Sequence, residues 1–489
     1  MHTGSRPKVP LSTKLLYGFG SIAFGVKDTG FGFFLLLYYN QVVGLPQSWV
    51  GLGIMGVLVC DAFFDPVVGY VSDHLRSRWG RRHPFMYASA IPVGVSYLFL
   101  FNPPSGLGER ALLAYFVATA ILVRFSITLY QIPSTALVAE LTEDYDERTS
   151  LLGYRFFFGW WGGLTMAVLA YAFFLQPDAA HPVGVLNPAG YRHYGIASSI
   201  LMVLSILVSA IGTHREIPRL RQPPPRRAAG AGHTFRELRE TFANRSFRML
   251  FVSAIFWAMA AGLSSALSIY FNTYFWELDS SAISVLVLGN FPAAIIALFL
   301  APLLSRRLGK KRAAILIATL GLLLAPVPVL FRLLGWMPAN QSPLLVPLLF
   351  TQSSIEVCLI ITASILVSSM VADVVEESEI ATGRRSEGVF FAARSFVEKS
   401  VSGIGVFAST LLLGAIGFPR DAQPGAVDAG VVRNLGVSYV PILVFLYGAG
   451  IVFVAGYRIS RETHAANLRR LAEQVESADV PPVRTGSAG

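Results

Sequence analysis

Residues 48–82 read SWVGLGIMGVLVCDAFFDPVVGYVSDHLRSRWGRR. This stretch begins as an apolar run of the length that crosses a bilayer, and it ends in a short loop rich in arginine. Asp61 and Asp65 interrupt the run, although an acidic side chain at the centre of a span costs roughly 2.5–3.5 kcal/mol on insertion scales. The stretch therefore predicts a membrane-spanning helix that keeps two costly charges and ends at a basic loop.

The chain as a whole has the composition of a membrane protein. Its 489 residues are 54% hydrophobic and 14% charged, and its mean hydropathy is +0.56. A soluble protein has about 25% charged residues. Apolar runs recur along the sequence, and we predict an all-α polytopic membrane protein with twelve transmembrane helices at about 14–39, 48–71, 85–102, 111–138, 153–176, 192–212, 247–275, 283–304, 313–334, 344–371, 388–416 and 436–457.

Basic residues are concentrated in alternate loops. Lysine and arginine concentrate at 76–82, at 306–312 and between Arg215 and Arg248, whereas the alternate loops near 40–47 and 276–282 contain neither. This alternation is typical of the positive-inside rule. We therefore expect both termini and the basic loops in the cytoplasm, with the protein in the plasma (inner) membrane. The net charge of +10 then reflects topology, and we expect no nucleic-acid partner.

The two halves of the chain carry matching features. Spans two and eight each end in a basic loop, and spans four and ten each run into an acidic segment, at 139–148 and 371–379. Such matches indicate two six-helix repeats. We predict an N-terminal half at residues 1–213, a C-terminal half at 247–457 and a cytoplasmic tail at 458–489.

Residues 214–246 form the long interruption between the halves. The portion PRLRQPPPRRAAGAGH is rich in proline and glycine and predicts a linker. In the following TFRELRETFANRSFR, Thr234 and Glu237 match a capping box, which predicts a short amphipathic helix on the membrane surface. A plain solvated linker is the alternative.

Several motifs together resemble one transporter family. GYVSDHLRSRWGRR resembles the loop between helices two and three of the major facilitator superfamily, and the preceding DAFFDP resembles its glycoside–pentoside–hexuronide:cation symporter branch. LSTKLLYGFGS, YQIPSTALVAEL and ADVVEESEIATGRRSEGVFFAARSFVEKSVSG are similar to the same branch. The sodium-dependent lysophosphatidylcholine symporters are also similar to it. The resemblance implies two major facilitator halves that rock about a central site.

Asp61 and Asp65 are one helical turn apart, so they share a face on which like charges repel. They need a cation between them or a proton on one of them, and their oxygens suit a hard monovalent cation. In the resembled symporters the corresponding pair forms the Na⁺, Li⁺ or H⁺ site. We therefore predict a cation-binding site at this pair, with Na⁺ or H⁺ as coupling ion and no other metal or cofactor. For Asp65, pinning of the helix to the loop network is the alternative.

Lys399 is the predicted coupling residue. The resemblance matches it to a lysine that approaches the cation-site acids from the other half. The ammonium group and a mobile cation would then alternate as counter-charges to the acids. A structural pair with the neighbouring Glu398 is the alternative.

The predicted substrate residues are Asp28, Lys27, Tyr130, Gln131 and Arg155. In the sugar-transporting relatives an acid matching Asp28 holds substrate hydroxyls, but a second acid stands where this chain has Gln131. Arg155 matches a family arginine near the central cavity, with an interfacial arginine as the alternative. For Asp28 the alternative is an ion pair in helix packing, and for Tyr130 it is an ordinary helix contact.

Other polar residues receive structural roles or roles at the cytoplasmic gate. Arg124 and Glu356 are predicted as pairing groups between helices, and Thr128 as a cavity or helix contact. We predict a gate network in the cytoplasmic loops, with solvated loop charges as the alternative, made of Asp73, Arg81, Glu140, Arg148, Arg384, Arg385 and Glu387.

The sequence predicts a secondary active transporter that couples the entry of a glycoside or related sugar to a cation. An amphiphilic, lysolipid-like solute is the alternative, favoured by Gln131 and by the 35 phenylalanines. A membrane sensor that kept the fold is the alternative from another class. No nucleophile–base motif or metal-ligand spacing points to an enzyme. We expect a monomer whose partners are its small-molecule substrate and the lipid bilayer.

Overall fold

In the computed structural model the chain is all-α. The structure describes residues 9–142, 145–220, 242, 244–382, 387–420 and 422–459, and no strand occurs among them. The twelve long helices are α1 Leu11–Val42, α2 Gln47–His74, α3 His83–Leu100, α4 Glu109–Leu141, α5 Tyr145–Leu169 with a π-helical turn Ala170–Phe174, α6 Pro188–His214, α7 Arg245–Phe275, α8 Ser280–Leu308, α9 Lys310–Leu333, α10 Leu345–Thr382, α11 Glu387–Ala415 and α12 Ala429–Ala455.

Eleven of these described helices are long and apolar enough to cross a bilayer. The remaining one, α3, has 18 residues and includes His83, Pro84 and Pro92, which lower its mean hydropathy. It packs along α4 and α6, both of which are candidate spans. The prediction of a twelve-helix membrane fold is confirmed.

Glycines let the first and fifth helices of each half approach closely. A Cβ atom on Gly25 of α1 would lie 1.9 Å from the carbonyl oxygen of Gly159 in α5. In the second half, a Cβ atom on Gly262 of α7 would lie 2.0 Å from the carbonyl oxygen of Ser402 in α11. Small residues are what allow such close backbone contact in membranes. The same contact at equivalent helices is expected of two structural repeats.

Gly25→Val is expected to destabilise the first half strongly, because the new side chain meets the backbone of α5. Overpacking costs about 1–3 kcal/mol where neighbours can give way, and a backbone carbonyl gives way little. The measurement is the fraction of monodisperse protein that survives heating, read by size-exclusion chromatography. Gly56→Val is the matched control, since a Cβ atom there has no neighbour within 4 Å. Equal losses in both variants would contradict the close packing of α1 on α5.

The halves α1–α6 and α7–α12 are joined at the end opposite the basic loops. Tyr270 of α7 donates its hydroxyl to Oδ1 of Asn40 in α1 at 2.8 Å. Gln41 donates Nε2 to the carbonyl oxygen of Pro419 at 3.1 Å, and its Oε1 accepts from the backbone N–H of Ala422. These hydrogen bonds close that end between the two halves.

The connection between the halves begins after His214 and ends where α7 starts at Arg245. Most of the predicted surface helix, including Thr234 and Glu237, lies outside the described residues, as does the tail beyond residue 459. Phe242 is described, and its ring centroid lies 5.4 Å from that of Phe247 in α7. The boundaries proposed for the linker and the tail stay predictions.

Candidate functional site

The acid pair of α2 lies against a threonine of α4. Thr128 donates its hydroxyl at 3.2 Å to Oδ1 of Asp61, and the same hydroxyl oxygen lies 3.4 Å from Oδ1 of Asp65. Asp61 is buried, whereas Asp65 keeps part of its side chain accessible. One oxygen of each carboxylate and the hydroxyl of Thr128 therefore converge on one point between α2 and α4.

Two basic side chains hold the other oxygens of the acid pair. Lys399 Nζ, from α11 in the second half, lies 2.6 Å from Oδ2 of Asp65 and 3.3 Å from Oδ2 of Asp61. Arg124 Nη1, from α4, lies 3.2 Å from the same oxygen of Asp61. Two carboxylates thus face one ammonium and one guanidinium group, and the formal charges of the four side chains cancel.

The structure brings Asp61, Asp65 and Lys399 together, as the sequence predicted. Arg124, predicted as a pairing group, contacts Asp61. The sequence reasoning missed Thr128 as the residue that bridges both acids. The available signal was its spacing, because Thr128 follows Arg124 by four residues and so lies on the same face of α4.

The side chain of Arg124 also contacts α1. Its Cζ atom lies 4.4 Å from the ring centroid of Phe31, which is within the range of a cation–π interaction. The guanidinium group is buried, and in the described part of the chain its Nε has no hydrogen-bond partner. The arginine is therefore a built-in counter-charge to Asp61, held between α2, α4 and α1.

Lys27 and Asp28 form an ion pair within α1. Lys27 Nζ lies 2.5 Å from Oδ1 of Asp28, yet only 4% of the lysine side chain is accessible, compared with 61% of the aspartate. The pair thus presents a carboxylate, rather than an ammonium group, at the accessible surface. That placement keeps Asp28 available to donors on a ligand.

Arg155 of α5 binds α4 rather than solvent. Its Nη1 donates to Oγ of Ser134 at 2.8 Å, and its Nη2 donates to the carbonyl oxygen of Gln131 at 3.2 Å. Its Cζ atom lies 5.0 Å from the ring centroid of Phe24. The guanidinium group is buried within the first half, which is not the position of an arginine at the membrane interface.

Tyr130 and Gln131 point in different directions. Tyr130 is fully buried and donates its hydroxyl to Oγ of Ser209 in α6 at 3.1 Å, so the predicted substrate contact is a packing residue in this structure. The reason is helical geometry, because adjacent side chains project about 100° apart. Among the described residues, the side-chain amide of Gln131 has no hydrogen-bond partner and remains free for a ligand.

The predicted gate residues that the structure describes form an ion-pair network within the first half. Arg81 Nη2 and Arg82 Nε donate to Oε1 of Glu140 at 2.7 and 2.9 Å. Arg82, which the prediction omitted, also donates to Oγ of Ser72. The network joins the end of α2 and the start of α3 to the end of α4.

The second half has a corresponding ion pair. Lys310 Nζ, at the start of α9, lies 2.5 Å from Oδ1 of Asp373 in α10. Both residues come from the matching basic and acidic segments of the sequence, which could have revealed the pair. The remaining gate predictions lie outside what the structure describes, either as side chains or as whole residues: Asp73, Arg148, Arg384, Arg385 and Glu387.

The comparisons with known proteins find transporters that match most of the chain. The sequence profile of the family described as MFS/sugar transport protein matches residues 16–461. The isoprimeverose transporter of Lactiplantibacillus pentosus is 23% identical over 93% of this chain and 90% of its own. The sphingosine-1-phosphate transporter MFSD2B of Mus musculus is 26% identical over 91% of this chain and 89% of its own.

Solved structures share the fold. The xylose transporter XylE from E. coli in its inward-open conformation has a TM-score of 0.62 at 15% identity, covering 94% of this chain and 98% of that one. A bacterial homologue of the human lysosomal transporter Spinster, inward-facing and unoccupied, has a TM-score of 0.63 at 14% identity, with 94% and 97% covered. Together with the profile match over most of its length, the twelve-helix fold shows that the chain belongs to the MFS/sugar transport protein family of integral membrane transporters and is not an enzyme.

Proposed function

We propose that this transporter carries a sugar or glycoside across the plasma (inner) membrane together with a monovalent cation, Na⁺ or H⁺, by alternating access. Both termini lie in the cytoplasm in this proposal. The observation that carries it is the position of Lys399, a residue of the second half that binds the acid pair of the first. A contact of this kind can be exchanged for a bound cation.

The cation site is best placed at the three converging oxygens. Oδ1 of Asp61, Oδ1 of Asp65 and Oγ1 of Thr128 lie together, whereas Lys399 and Arg124 contact the Oδ2 atoms of the acids. Hard cations prefer oxygen ligands of this type. A proton on Asp65 would serve the same purpose, because it also cancels the charge that Lys399 now neutralises.

Coupling follows from the exchange of counter-charges. Without a cation, Lys399 must stay near the acids, since an unpaired carboxylate inside the membrane is costly. When a cation binds, Asp65 no longer needs the ammonium group, and the contact between α2 and α11 is released. Movement of the halves is thereby linked to occupancy of the cation site.

Alternating access also requires the opposite end to open, and Tyr270→Phe is expected to favour that state. The variant loses the hydrogen bond to Asn40, which is worth about 1 kcal/mol and so shifts the population about fivefold. The exposed residues Arg110 and Arg433 would be replaced by cysteines that carry spin labels, after Cys60 and Cys358 are replaced by serine. Pulsed EPR then measures the distance between the two labels, and so the separation of the two halves at this end. Tyr115→Phe is the control, because the hydroxyl of Tyr115 donates a hydrogen bond to the carbonyl oxygen of Phe99, which lies in the same half. An unchanged distance distribution in Tyr270→Phe would contradict this role.

The sugar site is proposed at Asp28 and Gln131. The carboxylate of Asp28 is the accessible member of its ion pair, and two carboxylate oxygens can accept from neighbouring hydroxyls. The free amide of Gln131 can donate and accept. The names of the relatives support this cargo, since one is an isoprimeverose transporter and another is a putative glycoside/cation symporter of E. coli.

An amphiphilic cargo is the second candidate. One relative is a sphingosine-1-phosphate transporter, and Gln131 replaces the second acid that a sugar clamp would use. A sensor that does not transport is disfavoured, because a sensor has no need of an exchangeable ion pair between the halves.

Uptake by right-side-out membrane vesicles tests the proposal. A panel of labelled glycosides and pentosides and a lysolipid would be offered with an inward Na⁺ gradient, with an inward proton gradient, and with neither. We expect one sugar or glycoside to accumulate only with a cation gradient. Accumulation of the lysolipid alone would favour the second candidate. Sugar uptake that is the same with either gradient as with neither would exclude cation coupling.

A further inference from the structure

The second half contains a cavity that the proposed transport mechanism does not use. It has a volume of about 280 Å³ and lies among α7, α9, α10, α11 and α12. Its wall is mostly hydrocarbon, including Phe251, Ala258, Ile317 and Leu359. Helix α11 borders both regions, because Glu398 and Ser402 line the cavity while Lys399 binds the acid pair.

The corresponding helices of the first half are joined by polar contacts. The equivalent helices there are α1, α3, α4, α5 and α6, since the two halves are repeats. Between them Tyr17 donates to the carbonyl oxygen of Ser134, Arg155 donates to Oγ of Ser134, and Ser209 binds the backbone of Tyr17.

In the part of the chain that the structure describes, Glu356 of α10 faces this cavity without a basic partner. Within the described residues its one hydrogen bond comes from Nε2 of Gln352, at 2.8 Å. A carboxylate half-buried among hydrocarbon groups, as Glu356 is, is costly unless a cation or several donors satisfy it. Apolar cavities of this kind also tend to stay dry, so water compensates little. The site is thus complementary to a ligand that brings both hydrocarbon and positive charge.

We propose that this cavity binds a hydrophobic amine, with its ammonium group on Glu356 and its hydrocarbon body among α7, α9 and α10. The charge of Glu356 selects the ammonium group, and the apolar wall selects the chain. This proposal does not depend on the sugar or on the cation proposed above. An empty cavity with a protonated Glu356 is the competing state.

Tryptophan quenching in lipid nanodiscs tests the proposal directly. Trp257 lines the cavity, and the fluorescence lost in Trp257→Phe isolates its signal from that of the other tryptophans. The probes are 8-bromooctylamine and 8-bromooctan-1-ol, which share a chain and a quenching bromine but differ in charge. We expect saturable quenching of Trp257 by the amine, with an apparent affinity at least tenfold higher than for the alcohol.

Two variants distinguish the effect of the charge on Glu356 from the effect of the free volume of the cavity. Glu356→Gln keeps the shape of the side chain and is expected to remove the preference for the amine. Gly321→Leu is expected to weaken both probes by filling the cavity, since a Cβ atom on Gly321 has no neighbour within 4 Å. Equal affinity for the two probes, no saturable quenching, or an unchanged preference in Glu356→Gln would overturn the proposal. Loss of sugar uptake in vesicles would bear only on the transport proposal.

Discussion

Replacing Asp65 with asparagine is expected to abolish cation-driven accumulation of the substrate while leaving exchange intact. One positive charge that enters across about 100 mV supplies roughly 2.3 kcal/mol, which corresponds to nearly fifty-fold accumulation. The amide side chain of the variant carries no charge to exchange between Lys399 and a cation, so the accumulation ratio should fall to about one. Exchange should persist, because the 2.6 Å contact of Lys399 with Asp65 is lost while Arg124 still neutralises Asp61, so the halves can move without a cation. Concentrative uptake and substrate counterflow, measured in the same proteoliposomes, separate the two activities.

Glu109→Gln is the matched control for this experiment. Glu109 is an exposed acid whose partner across the halves, Arg420, lies 3.3 Å away at the opposite end. Exposed ion pairs contribute about 0–1 kcal/mol, so accumulation should stay near the wild-type value. If Asp65→Asn still accumulates substrate as the wild type does, Asp65 is not the coupling carboxylate. If counterflow is lost as well, the residue is needed for more than coupling.

Replacing Arg124 with methionine is expected to cause the largest loss of stability in the site. Removing one partner of a buried ion pair costs about 3–5 kcal/mol of stability. Because Asp61 still contacts Lys399, we expect a loss near the lower value. Asp61 is the group left without its fixed partner. Thermal survival of monodisperse protein, read by size-exclusion chromatography, gives the ranking of variants.

A second substitution tests the cause of that loss. Asp61→Asn combined with Arg124→Met is expected to recover most of the stability, because no uncompensated carboxylate is then buried. Arg420→Met removes the arginine of an exposed pair instead, and should change stability by less than about 1 kcal/mol. A double variant as unstable as Arg124→Met alone would show that the arginine acts through packing on Phe31 and not through Asp61.

The sequence was sufficient to predict the fold, because hydropathy, loop charge and the repeat are properties of the chain itself. Length and apolar composition located the spans, and α3 was found despite His83 and its prolines. The surface helix predicted in the joining segment stays a prediction. Its capping box at Thr234 describes only a local preference, and its residues lie largely outside the described structure.

The candidate site was predicted in its charges but not in its geometry. The four-residue spacing in DAFFDP placed Asp61 and Asp65 on one face, and the family resemblance pointed to Lys399. Neither signal indicates which side chains of a neighbouring helix face the acid pair or the cavity. For Tyr130 the sequence therefore left a substrate role and a helix contact open, and in the structure its hydroxyl contacts α6. The bridging position of Thr128 was overlooked.

In the proposed mechanism, the exchange of Lys399 for a cation at Asp65 couples substrate movement to ion movement. Its most direct test needs no substrate: proteoliposomes on a solid-supported membrane receive a sudden step in Na⁺ or in pH, and the transient charge displacement is recorded. The exchange predicts a displacement in the wild type for the coupling ion and none in Asp65→Asn. A displacement of the same size in both proteins would contradict it.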